Sequence, residues 1–389
     1  MKNEKYGTIL YSTKTIVKNF KNISILERIN NSESDEGLEK EYIDYVNNVK
    51  KYIANIEKNC RIGFFSQSSQ NTDMYSYIYY IMTAGLIGYD ISCNKAEISK
   101  IIEDYQREDG LCYDDNLLSY NFLNGDGWGA RHFMPHYFIA LERLKMPLKH
   151  KLRYLDAYRE MNLEKLIDNL DWQNPWKASN FIMNVSISLM YERKCSGDEK
   201  TSVAIKKIQK WLLDNIREDS GMWGCGNINN KEFRYLMIRG AYHLMPILMY
   251  DNIDIPYRKR AIDIILNAQN KAGGFDSLLN SNACDDIDAI EPLIRLSLIE
   301  RGYREKDIRR CLCKALRWVM SNQLSDGGSV FCLESPFCYG NSCMKSGKNE
   351  SNWFGTWFRL LSVCYMYDYI FLKDRDYVDI PGMEYPLFR

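Results

Sequence analysis

Four acidic residues lie close together in the second half of the chain: Asp285, Asp286, Asp288 and Glu291. Carboxylates at such short spacing repel one another, and burial against aromatic groups would raise their pKa further. One of the three aspartates would then stay protonated near neutral pH, as a general acid must. Because coupled acids share protons, the pattern does not decide which of the three is the donor. The alternative is structural, since an aspartate at a helix start caps free backbone N–H groups.

Two other stretches combine arginine with histidine. Arg131, His132 and His136 form the first, and Arg239 and His243 form the second. Residues four apart share one face of a helix, so His132 and His136 would lie together. We expect these five side chains to face a cavity and bind substrate. The alternatives are a metal-binding histidine pair, for which the sequence offers no evident acidic third ligand, and histidines that act as structural hydrogen-bond donors.

Tryptophans mark two further groups. Trp172, Trp176 and Asn180 would place aromatic faces and an amide at one rim, which suits a sugar ring or a polyprenyl chain; the alternative is a packed loop. Trp353 and Arg359 belong to the last predicted helix, where they form either a substrate-binding wall or the closure of the fold. A buried arginine needs a charged partner, which makes Arg359 the stronger functional candidate.

A repeat positions all these residues. Gln106, Gln269 and Gln323 each end an apolar stretch, and each is followed four residues later by a glycine. A fourth copy has Ile216 in the glutamine position, and two weaker copies place Glu57 and Asp171 there. Neighbouring copies are 45 to 65 residues apart, which fits two helices and two loops.

Between the glycine turns the apolar residues recur at helical spacing. The sequence therefore predicts an all-α fold, an (α/α)6 toroid of six helical-hairpin repeats that spans residues 46–372. Residues 1–45 are predicted to form peripheral helices or an arm, and residues 373–389 a tail.

Composition argues against several classes of protein. The 51 basic and 51 acidic residues give a net charge of zero, so no general attraction to nucleic acid is expected. The first residues lack the apolar core of a signal peptide, and no stretch reaches the ~18 apolar residues of a membrane span. The 12 cysteines are scattered without paired zinc spacing, which favours reduced thiols in a cytoplasmic protein. The oligomeric state is left open.

The repeat pattern, aromatic–Leu–x3–Gln–x–x–Asp–Gly–Gly, resembles that of the terpenoid cyclase and protein-prenyltransferase superfamily over roughly residues 45–370. Protein prenyltransferases of this superfamily hold zinc with an Asp/Cys/His set. The four histidines of this chain do not stand in the matching late-repeat context. Class II terpenoid cyclases are the better match, because they carry an Asp-x-Asp-Asp motif after the corresponding glycine turn.

In that resemblance Asp286 and Asp288 match the first two acids of the motif, and Ala289 stands where the last aspartate would be. Asp285 could supply a third acid from the other side. The resemblance implies proton-initiated cyclisation of an isoprenoid in the central cavity, with the middle aspartate as the donor. It implies no cofactor, except Mg²⁺ if the substrate carries a diphosphate.

Two other functions remain open from the sequence. The Arg, His and Trp groups also suit a glycan- or sugar-acting (α/α)6 lyase, epimerase or hydrolase, which would use them in an open groove. A non-catalytic toroid that binds a partner is the third possibility. The partner expected for either enzyme is a small molecule, an isoprenoid or a glycan.

Overall fold

The computed structural model describes residues 34–114, 128–340 and 343–387. Within these ranges the chain is mostly helical, which confirms the all-α prediction. The helices are α1 (Leu38–Lys58), α2 (Met74–Leu86), α3 (Ser92–Asp104), α4 (Trp128–Leu144), α5 (Asp156–Glu160), α6 (Leu163–Asp168), α7 (Pro175–Ser196), α8 (Glu199–Asp214), α9 (Lys231–Met249), α10 (Arg258–Ala268), α11 (Ala283–Ile299), α12 (Glu305–Met320) and α13 (Trp353–Phe371). A short 3-10 turn, Arg153–Leu155, precedes α5, and the strands β1 (Phe337–Cys338) and β2 (Lys345–Ser346) pair antiparallel.

Two kinds of helix alternate along the chain. Nearly every residue of α11 and α13 is buried, whereas α10 buries only Ala261, Ile262 and Ile265. An amphipathic helix with one apolar stripe covers a core from outside, and a helix that is buried all round lies within it. The α2, α4, α7, α9, α11 and α13 helices therefore form an inner set, and α1, α3, α8, α10 and α12 lie outside it.

The inner helices contact one another in sequence order. α2 packs on α4, α4 on α7, α7 on α9, α9 on α11 and α11 on α13, and α13 packs on α2. The outer helix α12 also contacts α1. The last helix pair therefore contacts the first pair through its outer helix as well as through its inner helix.

The repeated glutamines tie successive outer helices together. Gln269 Nε2 donates to the backbone oxygen of Cys311 in α12 at 2.9 Å. Gln323 Nε2 donates in the same way to Tyr45 in α1 at 3.0 Å, and Gln106 donates to the loop before α5. The last repeat therefore docks on α1 as an interior repeat docks on its successor.

The glycine that follows each glutamine has a steric reason. Gly273 and Gly327 have φ values of 110° and 90°, which favour glycine. A Cβ on Gly273 would lie 2.7 Å from the backbone oxygen of Lys314, and one on Gly327 would lie closer still to that of Asn48. These turns press directly on the backbone of the next outer helix.

The structure adds detail at both chain ends. The predicted boundary between residues 45 and 46 falls inside α1, and residues 1–33 of the predicted arm lie outside the described residues. Within 373–387 most residues from 377 onward are buried, including Ile380, Met383 and Glu384. Among the helices that the structure describes, none has the length and apolar character needed to cross a bilayer.

Candidate active site

The four acids lie on the first turns of α11. Asn282 caps this helix, and its side chain forms a reciprocal capping box with Asp285. Asp286, Asp288 and Glu291 follow on the same helix, and all four acids are buried. Burial of this many carboxyl groups is costly unless each is paired or protonated, so their individual partners decide their roles.

Asp286 is fully satisfied by hydrogen bonds. Its Oδ2 accepts from Arg359 Nη1 at 2.8 Å and from Trp318 Nε1 at 3.0 Å. Its Oδ1 accepts from Ser281 Oγ at 2.6 Å and from the backbone N–H of Phe275 at 3.1 Å. Burial raises the pKa of Asp286, and Arg359 opposes that rise. With four donors from separate elements, Asp286 joins α11, α12, α13 and the preceding glycine turn.

Asp285 pairs with an arginine of the neighbouring inner helix. Its Oδ1 lies 2.6 Å from Arg239 Nη2, and its Oδ2 accepts from Asn282 Nδ2 at 2.6 Å. Burial raises the pKa of Asp285 to about 7, although Arg239 opposes the rise. Asp285 is therefore a capping residue and an ion-pair partner that titrates near neutral pH.

Asp288 differs from its neighbours. Its side chain is 2% exposed, and its Oδ2 has no hydrogen-bond partner among the described residues. Burial raises the pKa of Asp288 well above its usual value; Arg239 opposes this, and the charges of Asp285 and Glu291 add to it. Burial and the neighbouring acids thus favour the protonated form of Asp288, and one of its carboxyl oxygens is uncommitted.

Glu291 lies about one helical turn beyond Asp288. Its Oε1 accepts from Arg295 Nε at 2.6 Å, whereas its Oε2 has no partner in the described part of the chain. The hydroxyl of Tyr242 in α9 is also buried and without a described partner. Burial raises the pKa of Tyr242, and the charges of Glu291 and Asp288 raise it further, so these three groups are neighbours.

Of the three predicted histidines, His136 and His243 are buried and His132 is partly buried, and burial lowers the pKa of all three. His132 Nε2 lies 2.7 Å from the hydroxyl of Tyr339, and His243 Nδ1 lies 2.8 Å from Ser179 Oγ. His136 Nδ1 lies 3.0 Å from the backbone oxygen of His132. Burial lowers the pKa of His132 to about 4 and that of His243 to about 3, and it lowers the pKa of His136 well below its usual value. These imidazoles add no positive charge near neutral pH.

Aromatic rings complete the cluster on the side of α2 and α13. Tyr79 stacks on Trp357 with ring centroids 5.5 Å apart, and Tyr339 stacks on Phe354 at 4.2 Å. His136 meets the ring of Trp357 edge-on at 5.3 Å. Sequence analysis did not single out Tyr79, Tyr339 or Phe354. For Tyr79 a signal exists, because α2 carries tyrosines four residues apart at positions 75 and 79.

Arg131 and Asn180 lie near the histidines. The Arg131 guanidinium lies 5.2 Å from the ring centre of Phe181. Asn180 Oδ1 accepts from Asn184 Nδ2 at 3.1 Å, and a hydrogen bond in which the His132 imidazole donates to Asn184 partly offsets the lowered pKa of His132. Both predicted residues therefore stand at the α4–α7 side of the same cluster.

The two tryptophans of the predicted rim separate in the structure. Trp176 is 41% exposed, and Arg239 lies 5.6 Å from its ring centre, which places it beside Asp285. Trp172 instead stacks on Trp211 of the outer helix α8 with centroids 5.0 Å apart. Trp176 belongs to the neighbourhood of the acids, and Trp172 belongs to the outer packing.

Trp353 also points away from the acids. Its Nε1 donates to the backbone oxygen of Ile62 at 3.0 Å, and its ring packs edge-on against Tyr52 and Tyr80. Arg359 is fully buried and donates to Asp286 and to three backbone oxygens, which makes it a structural partner of Asp286.

The candidate site thus comprises two neighbourhoods, one of the acids with Arg239 and Tyr242 on α9 and α11, and one of His132, His136 and aromatic rings on α2, α4 and α13. Within the ranges that the structure describes, no three His, Cys, Asp or Glu side chains come together as a metal site would require. No protein-family model, curated protein or solved structure matches this chain significantly.

Proposed function

We propose that the six helix pairs form a closed (α/α)6 toroid whose inner wall carries the cluster around Asp288. The cyclic order of inner-helix contacts supports this arrangement. So does the docking of Gln323 on α1, which repeats the docking of Gln269 on α12.

We propose further that the protein is a terpenoid cyclase-like enzyme that starts its reaction by protonating an isoprenoid substrate. The observation that carries this proposal is Asp288, a buried acid with an uncommitted oxygen, whose pKa burial raises well above its usual value. In the reaction the O–H bond of Asp288 breaks and the proton adds to one carbon of an alkene, or to an epoxide oxygen. The neighbouring carbon becomes a carbocation, and the Asp288 carboxylate remains.

The aromatic rings of α2 and α13 would suit a cation formed in the proposed cavity. Aromatic faces attract positive charge, and Tyr79, Trp357 and Phe354 supply such faces. The neutral His132 and His136 do not repel it. The charges of Asp285 and Glu291 raise the pKa of Asp288. In the proposal they replace the last aspartate of the cyclase motif, because Ala289 occupies its position.

A sugar-acting enzyme is the second candidate, and the neutral imidazoles favour it. Near neutral pH, unprotonated His132 and His243 are able to accept protons, and Asn184 and Tyr242 are able to bind hydroxyl groups. In this alternative Asp288 would act as a general acid on a glycosidic oxygen.

Incubation with prenyl diphosphates and epoxy-prenyl substrates tests the first proposal. Wild type should form cyclic products, and Asp288→Asn should lower the rate by about 10²–10⁴-fold, because loss of a general acid has this effect. The matched control is Asp374→Asn at an exposed position, which should retain the wild-type rate. Absence of product with wild type, or an unchanged rate in Asp288→Asn, would remove the cyclase proposal. Turnover of oligosaccharides by wild type would support the second candidate.

A further inference from the structure

The C-terminal segment, residues 374–387, touches every inner helix. Tyr377 and Arg375 bind Asp368 of α13, and Arg375 also donates to the backbone oxygen of Leu86 at the end of α2. Glu384 pairs with Arg143 of α4, and Tyr385 covers Arg295 of α11. Gly382 lies against Ile187 of α7 and Pro246 of α9. All these partners lie in the second halves of their helices. The segment therefore crosses the bundle at the end where the inner helices finish.

Charged contacts fix this crossing. Glu384 is fully buried, pairs with Arg143, and accepts from the backbone N–H of Val378 at 3.2 Å. Arg375 binds both oxygens of the buried Asp368, at 2.7 and 2.8 Å. Buried pairs with several hydrogen bonds hold a single geometry, because loss of either partner leaves an uncompensated charge.

The segment also reaches the candidate active site. The Arg295 guanidinium lies 3.3 Å from the ring centre of Tyr385 and donates to the backbone oxygens of Tyr385 and Pro386. The same arginine holds Glu291, whose charge acts on Asp288. Tyr385 thereby contacts the Glu291–Arg295 pair directly, through Arg295.

We infer that the C-terminal segment is a plug that closes one end of the toroid, and that Tyr385 positions the Glu291–Arg295 pair beside Asp288. The inference rests on the proposed ring. A toroid has two open ends, and a carbocation at its centre would react with entering water. With this end closed, substrate reaches Asp288 from the opposite end, where α11 begins and Trp176 is exposed beside Arg239.

Two buried cysteines allow a test that needs no substrate. Cys364 of α13 is fully buried, and the charges of Arg375, Asp368 and Glu384 act on its thiol. Cys112 is equally buried but lies against Met74 at the start of α2, away from the plug. Peptide mass spectrometry measures the alkylation rate of each thiol in the native full-length chain. Local opening at the plug would expose only Cys364, whereas global unfolding would expose both thiols.

Glu384→Gln and Tyr385→Ala should each raise the alkylation rate of Cys364 at least about ten-fold while that of Cys112 stays constant, because local openings expose only the groups they uncover. The exposed substitution Asp374→Asn should change neither rate. An unchanged alkylation rate of Cys364 in both plug variants would overturn the inference. Equal acceleration of Cys364 and Cys112 would also overturn it, since the segment would then be part of the cooperative core. Either result is independent of whether an isoprenoid is the substrate.

Discussion

Two neighbouring aspartates of one helix should respond oppositely to the same substitution. Asp286 and Asp288 are equally buried, but Asp286 accepts four hydrogen bonds and Asp288 Oδ2 accepts none among the described residues. Asp286→Asn and Asp288→Asn each replace one oxygen by an NH2 group of similar size. Because the two variants carry the same Asp→Asn substitution, any difference between them reflects the surroundings of the two side chains.

The expected magnitudes follow from the partners. In Asp286→Asn either Arg359 and Trp318 or Ser281 and the Phe275 N–H lose their acceptor, and Arg359 loses its counter-charge. Breaking one side of a buried ion pair costs about 3–5 kcal/mol of unfolding free energy. In Asp288→Asn no described partner is lost. The unfolded wild type ionises at this aspartate at neutral pH, which destabilises the fold of the wild type, whereas asparagine does not ionise. The substitution should therefore leave the unfolding free energy unchanged or raise it.

Urea unfolding of both variants at neutral pH, followed by circular dichroism, measures the difference. Wild type and Asp374→Asn serve as references. A loss of several kcal/mol in Asp288→Asn, equal to that of Asp286→Asn, would refute the reasoning, because it would mean that Asp288 is charged and paired. A harmless Asp286→Asn would refute its structural role.

Three further outcomes are expected. Gln323→Ala and Gln269→Ala should each lower the unfolding free energy by about 1–3 kcal/mol, measured by urea unfolding, because the two glutamines make equivalent contacts between repeats; a harmless Gln323→Ala would speak against ring closure. Because burial raises the pKa of Asp288 well above that of an aspartate in the unfolded chain, wild-type stability should fall relative to Asp288→Asn as the pH rises above about 4, by up to about 1.4 kcal/mol per pH unit, and parallel curves would contradict this. In NMR titrations His132 and His243 should stay neutral from neutral pH down to about pH 5, since their pKa values are about 4 and about 3; midpoints near 6.5 would place them in water.

The repeat was predictable from the sequence because its signals are local. The glutamine and the glycine of each turn lie four residues apart, and the distance between successive copies fits a pair of helices. The structure explains the pattern through contacts with the next outer helix, as between Gly273 and Lys314.

The distribution of roles among the acids was not predictable. Asp286 is committed by Arg359, which is 73 residues away in the chain, and by Trp318, which is 32 residues away. Such partners depend on how α12 and α13 pack on α11. The sequence therefore indicated an acid among three, and tertiary packing distinguishes Asp288.

Aromatic residues gave a weaker signal for the same reason. A tryptophan predicts burial, but not the side of the helix layer on which it is buried. Trp172 and Trp353 face the outer packing, whereas Trp176 lies beside Arg239. The C-terminal segment was predicted as a tail because it has no helical periodicity, and its burial comes from single contacts with six different helices.

The protonation state of Asp288 at neutral pH tests the central claim most directly. Carboxyl carbon NMR of the protein labelled with ¹³C-aspartate, with Asp288→Asn to assign the resonance, follows this group through a pH titration. The account predicts that the Asp288 resonance titrates with a midpoint well above that of an aspartate in water, because burial raises the pKa of this group. A titration with a midpoint near 4, as for an aspartate in water, would contradict it.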